Sequence, residues 1–231
     1  MTKPKDHWSI RRLPLLPLVD EVHFPCTELQ LRIVEPEYRA LVEEIFIDQG
    51  TEAHVGTVLL KPEWAQDGET DVFSYGTAGR LLGLEMHDEG CDVILSGEYR
   101  FEVQRELEIG PCRSAVVRPL PENKVSESDP MVCQVRRDIL GYLLGLTDQL
   151  GEGFVLQQDQ VLELNDDDLP FETMVNLLAA NLDLAPLSKL SLLNEALLDR
   201  SYRLLAILRS RYEVVEALEP FRHLAAAAEY N

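Results

Sequence analysis

At 231 residues and 45% hydrophobic, the chain is long enough to bury a core as one large domain or two small ones. Its formal net charge of -20, from 41 acidic and 21 basic residues, is spread over both halves, with 13 basic against 23 acidic residues up to position 125. Such a field opposes nonspecific docking on phosphate backbones or anionic lipid, and suits a solvated surface or a basic or unfolded partner.

The opening run LPLLPLV (13–19) is too short, too broken by proline and too soon followed by Asp20 and Glu21 for a signal peptide. No stretch approaches the roughly 18 apolar residues of a membrane span, so a reducing cytoplasm is the expected compartment. Cys26, Cys91, Cys112 and Cys133 have no metal- or redox-type spacing and are expected as buried thiols. Leu29, Leu31 and Ile33 alternate with Gln30 and Arg32, which predicts a half-buried strand. After Pro36 the period changes: Tyr38, Leu41, Val42 and Ile45 fall at helical spacing, with proline in the first turn and Glu37 near the positive end of the helix.

Further strands are predicted over 54–60, 79–87, 91–97, 99–107 and 113–120. The links Asp88-Glu89-Gly90 and Ser96-Gly97-Glu98 place glycine where positive φ favours antiparallel hairpins, giving a meandering sheet or a small barrel. Between them, 61–76 reads as a polar loop carrying Trp64, Phe73 and Tyr75, as hydrophobic plugs or as contact residues. The proline- and serine-rich stretch 119–130 marks a domain boundary, giving domains over 1–125 and 126–231. Beyond it the period is helical. Asp129 and Pro130 predict a cap and first turn, followed by the stripe Val132, Val135, Ile139, Leu143, Leu146 and Leu150. Asp168 is a second candidate cap, with Pro170 in the next first turn; the acidic run 166–168 suits a helix start better than a calcium loop, whose spaced ligands and glycine it lacks. Residues 187–218 predict one long helix or two shorter ones, with Leu190, Leu193, Leu197, Leu204, Leu208 and Val215 as bundle core rather than a strict heptad seam. The terminal LAAAAEYN reads as a frayed end.

No phosphate-binding loop, dinucleotide fingerprint, nucleophile elbow or zinc-protease helix is present in the sequence. His7, His23, His54, His87 and His223 are scattered, with no helical pair to hold a metal, and no pair of carboxylates is marked as acid and base. No catalytic residue, metal or cofactor is therefore expected.

Several short motifs recur here in a fixed order: Pro17 and Leu18, Phe24 and Pro25, then Glu35, Pro36 and Tyr38 at the strand-to-helix change. Gly76, Thr77 and Gly79 follow, then Gly97, Arg100 and Phe101, and in the second half Leu192, Leu193 and Arg203. In order and spacing these resemble the N-terminal domain of Lon, the ATP-dependent protease, over about residues 13 to 212. The resemblance implies an α+β fold, a PUA-like antiparallel β pseudo-barrel over 1–125 followed by an α-helical bundle over 126–231. The motif glycines, prolines and aromatics are expected to set turns and core. Two departures stand out: Cys26, Thr27 and Glu28 replace the family's glycine after the Phe-Pro pair, and no ATPase or serine-lysine peptidase module is expected in a sequence given to Asn231.

The function implied is a noncatalytic module that recognises unfolded or exposed polypeptide segments, or docks on a protease or chaperone partner, as monomer or homodimer. Its contacts are expected in a cleft between barrel and bundle and around Trp64, Phe73 and Tyr75. Three other readings stand beside it: an RNA-binding PUA-like protein, which the acidity opposes; a small-molecule pocket in the barrel; and a hydrolase assembled from Cys or Ser and a distant His.

Overall fold

The computed structural model describes residues 11–63, 71–107, 112–150, 156, 164, 166 and 168–219. They hold six strands, β1 (Arg11–Leu18), β2 (Glu28–Ile33), β3 (His54–Leu60), β4 (Val72–His87), β5 (Gly90–Leu107) and β6 (Ser114–Leu120). The helices are α1 (Pro36–Gln49), α2 (Pro130–Leu150), α3 (Phe171–Asn181), α4 (Pro186–Asn194) and α5 (Leu197–Leu218). Packing divides them into a strand-rich unit, which takes in Leu184–Ala196 and hence α4, and a helical unit built from α2, α3 and α5. No described helix is long and apolar enough to cross a membrane.

The sheet order is β2-β5-β4-β3-β1-β6, and a further β5–β6 pairing turns the sheet back on itself. Five strands thus close a barrel while β2 hangs on β5. Every pairing is antiparallel except β1–β3, which runs parallel. The closed part is filled by Phe101, whose ring lies over Gly56 and Gly76: a Cβ would meet it at 2.9 Å on the former and 2.8 Å on the latter. Leu13, Leu15, Val58, Ala115 and Val117 pack around it. The other part is covered by α1, which lays Val42, Ile45 and Phe46 against Leu16, Leu29, Ile33, Val93 and Leu95. Pro36 opens α1 in its first turn, and the helix ends at Gly50, the one described glycine with positive φ, whose N–H bonds back to Phe46.

Three expectations about strands and turns are corrected. First, Ser96-Gly97-Glu98 is no hairpin; β5 runs through it with a bulge, because Ala78 faces Tyr99 while Gly79 faces Gly97, leaving Glu98 the extra residue. Secondly, Gly90 and Gly97 do not adopt positive φ. They are needed for close approach: a Cβ at Gly90 would lie 2.6 Å from the Ile33 carbonyl oxygen, and one at Gly97 only 2.2 Å from that of Phe24. Thirdly, the loop predicted over 61–76 gives up residues 72–76 to β4, so Phe73 and Tyr75 are strand residues. The turn after Phe24-Pro25 forms without the family's glycine. Cys26 takes φ 61, its N–H bonds to the Gly97 carbonyl at 2.8 Å, and the Gly97 N–H bonds to the Thr27 carbonyl at 2.9 Å. Cys26 is consequently exposed rather than buried, and Cys133 is half-buried, whereas Cys91 and Cys112 are buried as expected.

In the helical unit Asp129 caps α2, accepting from the Met131 N–H at 2.8 Å, and Val132, Val135, Ile139, Leu143 and Leu146 are buried, while Leu150 is exposed. The cap of α3 is a correction. Asp168 makes no capping bond; Pro170 is the N-cap residue, and the Phe171 N–H is satisfied by Glu127 Oε1 at 2.9 Å, reached from 44 positions away. Residues 187–218 form two helices, broken between Asn194 and Leu197. Arg200, which no periodicity marks, is fully buried and donates to Asn176 Oδ1.

Candidate functional site

β1 changes partner along its length. Arg11–Pro14 pair with β6, whereas Leu15–Leu18 pair with β3, and among the described residues β5 is the one strand neighbour of β2. Among the described residues no strand therefore lies on the outer edge of Leu16–Leu18 or on that of β2, and a cleft of about 620 Å³ opens there. One wall is Leu16, Pro17, Leu18 and Val19 from β1 and its exit; the other is Leu31, Arg32 and Ile33 from β2. A cavity on the face of a strand touches alternate residues, because side chains alternate with period two. Contact with successive residues on both walls places this cleft along the strand edges.

The first turn of α1 contributes Glu35 and Tyr38, and Leu60 and Lys189 complete the lining. Tyr38 is half-buried, and burial raises its phenol above the ordinary range, with Arg113 opposing the shift. Glu35 stands at the N-cap position of α1 but its carboxylate makes no capping bond. Asp20, Glu21 and Glu35 are all exposed, and none has an ion-pair partner among the described residues. Arg32 faces Asp92 at 3.8 Å.

The predicted contact residues lie elsewhere. Phe73 and Tyr75 share one face of β4, half-buried, with Tyr75 opposite Glu102, and neither lines the cleft; Trp64 lies outside the described residues. Of the motif residues, Pro17, Leu18, Glu35 and Tyr38 line the cleft, and Pro36 starts the helix beside it. The others sit in the frame. Phe24 and Phe101 are fully buried, Pro25 is in the turn, and a Cβ on Gly76 would come 2.2 Å from the Thr57 carbonyl oxygen. Thr77 Oγ1 donates to the His23 carbonyl at 2.6 Å, and Gly79 packs on the His23 ring. Arg100, 5% exposed, pairs with Glu122 at 2.8 Å and donates to the carbonyls of Leu193 and Glu195 at 2.6 and 2.8 Å, tying β5 to the end of α4.

The three described histidines have other partners, His7 and His223 lying outside the described residues. His23 Nε2 donates to the Thr27 carbonyl at 3.1 Å, and burial depresses its pKa to about 4, so the ring is neutral near pH 7. His54 faces Glu98 and His87 faces Asp92, each at 2.8 Å. Burial raises the thiols of Cys91 and Cys112, which holds them as neutral thiols rather than thiolate nucleophiles. Among the described residues no cysteine or serine side chain is hydrogen-bonded to a histidine, and no group of three or more His, Cys, Asp or Glu is placed to hold a metal ion.

The cleft's signal in the sequence was Pro17, a proline inside a strand, which marks a position where the ladder needs no N–H. The three acidic residues carried no signal beyond surface charge.

Comparison with known proteins places the frame. The chain is 27% identical over 210 residues to a Lon protease of Parabacteroides distasonis, covering 88% of this chain and 24% of that protein. It is 25% identical over 142 residues to Lon protease 2 of Sorangium cellulosum, covering 58% of this chain and 17% of that one. The chain thus spans about a quarter or less of the curated relatives it matches. Its structure resembles the crystal structure of a Lon N-terminal domain protein from Xanthomonas campestris, with TM-score 0.60 and 25% identity over 85% of this chain and 98% of that one. It also shares the fold of the N-terminal domain of the Mycobacterium avium complex Lon protease, with TM-score 0.57 and 17% identity over 86% of this chain and 98% of the other. Residues 12–210 match the family of the ATP-dependent protease La (LON) substrate-binding domain, and the chain belongs to that family.

Proposed function

We propose that this chain is a noncatalytic polypeptide-recognition module, which takes up exposed segments of other proteins in the cytoplasm in support of protein quality control, by holding them or passing them to a protease or chaperone. Membership of a substrate-binding domain family supports polypeptide as the ligand class. The observation that carries the reading to a place on this molecule is the cleft of about 620 Å³ between the outer edges of β1 and β2, within the size range of ligand pockets and with Leu16, Leu18, Leu31 and Ile33 on its walls. Val19, 69% exposed at its lip, is a large apolar side chain that folding leaves in water. Phe73 and Tyr75, with Trp64, form a second candidate contact.

The test is fluorescence anisotropy of the purified chain titrated against a labelled unfolded model polypeptide, with a labelled RNA oligonucleotide in a parallel arm. Saturable binding to polypeptide, weakened at least tenfold by Val19→Asp with the fold intact, is the expected result. Binding to RNA alone would overturn the reading, and a loss confined to the Trp64/Phe73/Tyr75 triple alanine variant would move the site to β4.

A further inference from the structure

The reading above names polypeptide as the ligand. Resting on it, the geometry points to a binding mode and a substrate class: we infer that an extended segment adds to the sheet along the outer edge of β2, and that the segments preferred carry Lys or Arg beside apolar side chains.

The argument for strand addition starts from what each edge offers. In a strand, the N–H and C=O of one residue point to one side and those of the next to the other, so every second residue of β2 turns both groups away from β5. Among the described residues no strand receives them, and a row of unmet donors and acceptors is a template for another strand. The opposite edge is unsuited to that role. Leu15 donates its N–H toward β6, to the Arg113 carbonyl at 2.9 Å, so Pro17, two residues on, faces the same way with no N–H to offer. β1 is a blocked edge and β2 an open one. The cleft between them is the space a further strand needs, and β2, with six residues, sets its length at about 20 Å.

Substrate class follows from the rim. Asp20 and Glu21 stand where β1 exits, and Glu35 where β2 passes into α1, so carboxylates flank both walls. The capping role that usually occupies an acidic residue at a helix start is not taken by Glu35. Arg32 already faces Asp92. Lys189 is the other cation of the lining, so three carboxylates face two basic groups; an incoming cation finds net acidic surface, while an acidic segment meets like charge, a field the net charge of -20 reinforces. Val19, a lining residue that is 69% exposed, offers apolar surface at the cleft.

The experiment uses two labelled ten-residue peptides of alternating apolar and charged residues, identical but for Lys in one and Glu in the other, plus the Lys peptide with alternate backbone nitrogens methylated. The expected result has three parts: the Lys peptide binds at least tenfold more tightly than the Glu peptide, methylation costs at least tenfold, and hydrogen exchange slows at alternate amides of β2. The exposed double variant Glu21→Lys/Glu35→Lys is expected to narrow or invert the preference. Equal binding of the Lys and Glu peptides with unchanged exchange in β2 would overturn this inference. If the unfolded polypeptide of the earlier test still bound, the recognition reading would survive that failure; if it did not, both would fall together.

Discussion

The strand-rich unit and the helical unit are held by different kinds of interaction. In the first, single residues have one job that no neighbour shares. Arg100 neutralises Glu122 and satisfies two carbonyls, Gly97 admits the Phe24 carbonyl, and His23 fills a buried site bounded by Thr27, Thr57 and Thr77. In the second, a stripe of interchangeable apolar residues does most of the packing, with Asn176, Arg200 and Ser201 as the buried polar exceptions among the described residues. A barrel closed by non-local pairings needs specific contacts at its irregular points, whereas antiparallel helices need a face of the right period. Substitutions should therefore hurt unequally in the two units.

The largest effect is expected at Arg100. Removing its side chain takes the cation from beside Glu122, whose side chain is 9% exposed, and a donor from each of two carbonyls, a loss of about 3–5 kcal/mol. Denaturant unfolding of Arg100→Ala measures it. A loss near that of an ordinary surface change would break the comparison at its strongest point.

His23 sharpens the contrast through pH. Its pKa falls from about 6.5 when unfolded to about 4 in the fold, because burial disfavours the imidazolium. The unfolded chain thus binds the extra proton first as pH drops. The stability that His23 contributes is fully present above about pH 6.5 and is lost as pH falls through about 4. Over that window the change amounts to roughly 3 kcal/mol. The check is unfolding free energy against pH for the native chain and His23→Asn, which should show a flatter acid limb; superimposable profiles would remove His23 as the cause.

On the helical side, Leu143→Met changes shape but little volume in a fully buried position, and is expected to cost less than about 1.5 kcal/mol. A cost matching Arg100→Ala would mean that the helical core is as specific as the barrel.

The same contrast decided what could be read in advance. The period-2 run from Leu29 to Ile33 and the helical run after Pro36 are local, and both elements form where the pattern places them. The stripe of α2 likewise buries the residues its period selects, apart from Leu150 at the end. Non-local features left weaker traces. Gly97-Glu98 looks the same in a hairpin as in a bulge; the choice is made by Phe24 and Thr27, more than 60 positions away, whose backbone replaces the missing ladder bonds. The α3 cap escaped for a related reason: Asp168 is the nearer acid, yet Glu127 arrives from the linker. The cleft is the hardest case, because it arises from a pairing that β1 and β2 do not make. Asp20, Glu21 and Glu35 acquire their meaning only once those edges are seen to flank a gap.

The smallest effect, and one of opposite sign, is expected at Cys26. Its φ of 61 lies in the left-handed region, where a side chain is strained and glycine is not. The turn's hydrogen bonds, from the Cys26 N–H to Gly97 and from the Gly97 N–H to Thr27, are made by backbone and remain available to a glycine. Glycine also gives the unfolded chain more freedom to lose, which offsets part of the relief. Cys26→Gly should therefore stabilise the fold by about 0.5–1 kcal/mol, read as a higher midpoint of chemical unfolding with an unchanged slope. A loss instead would mean that the exposed thiol holds the turn as much as the backbone does, and the strand-rich unit would then owe even this surface corner to one particular side chain.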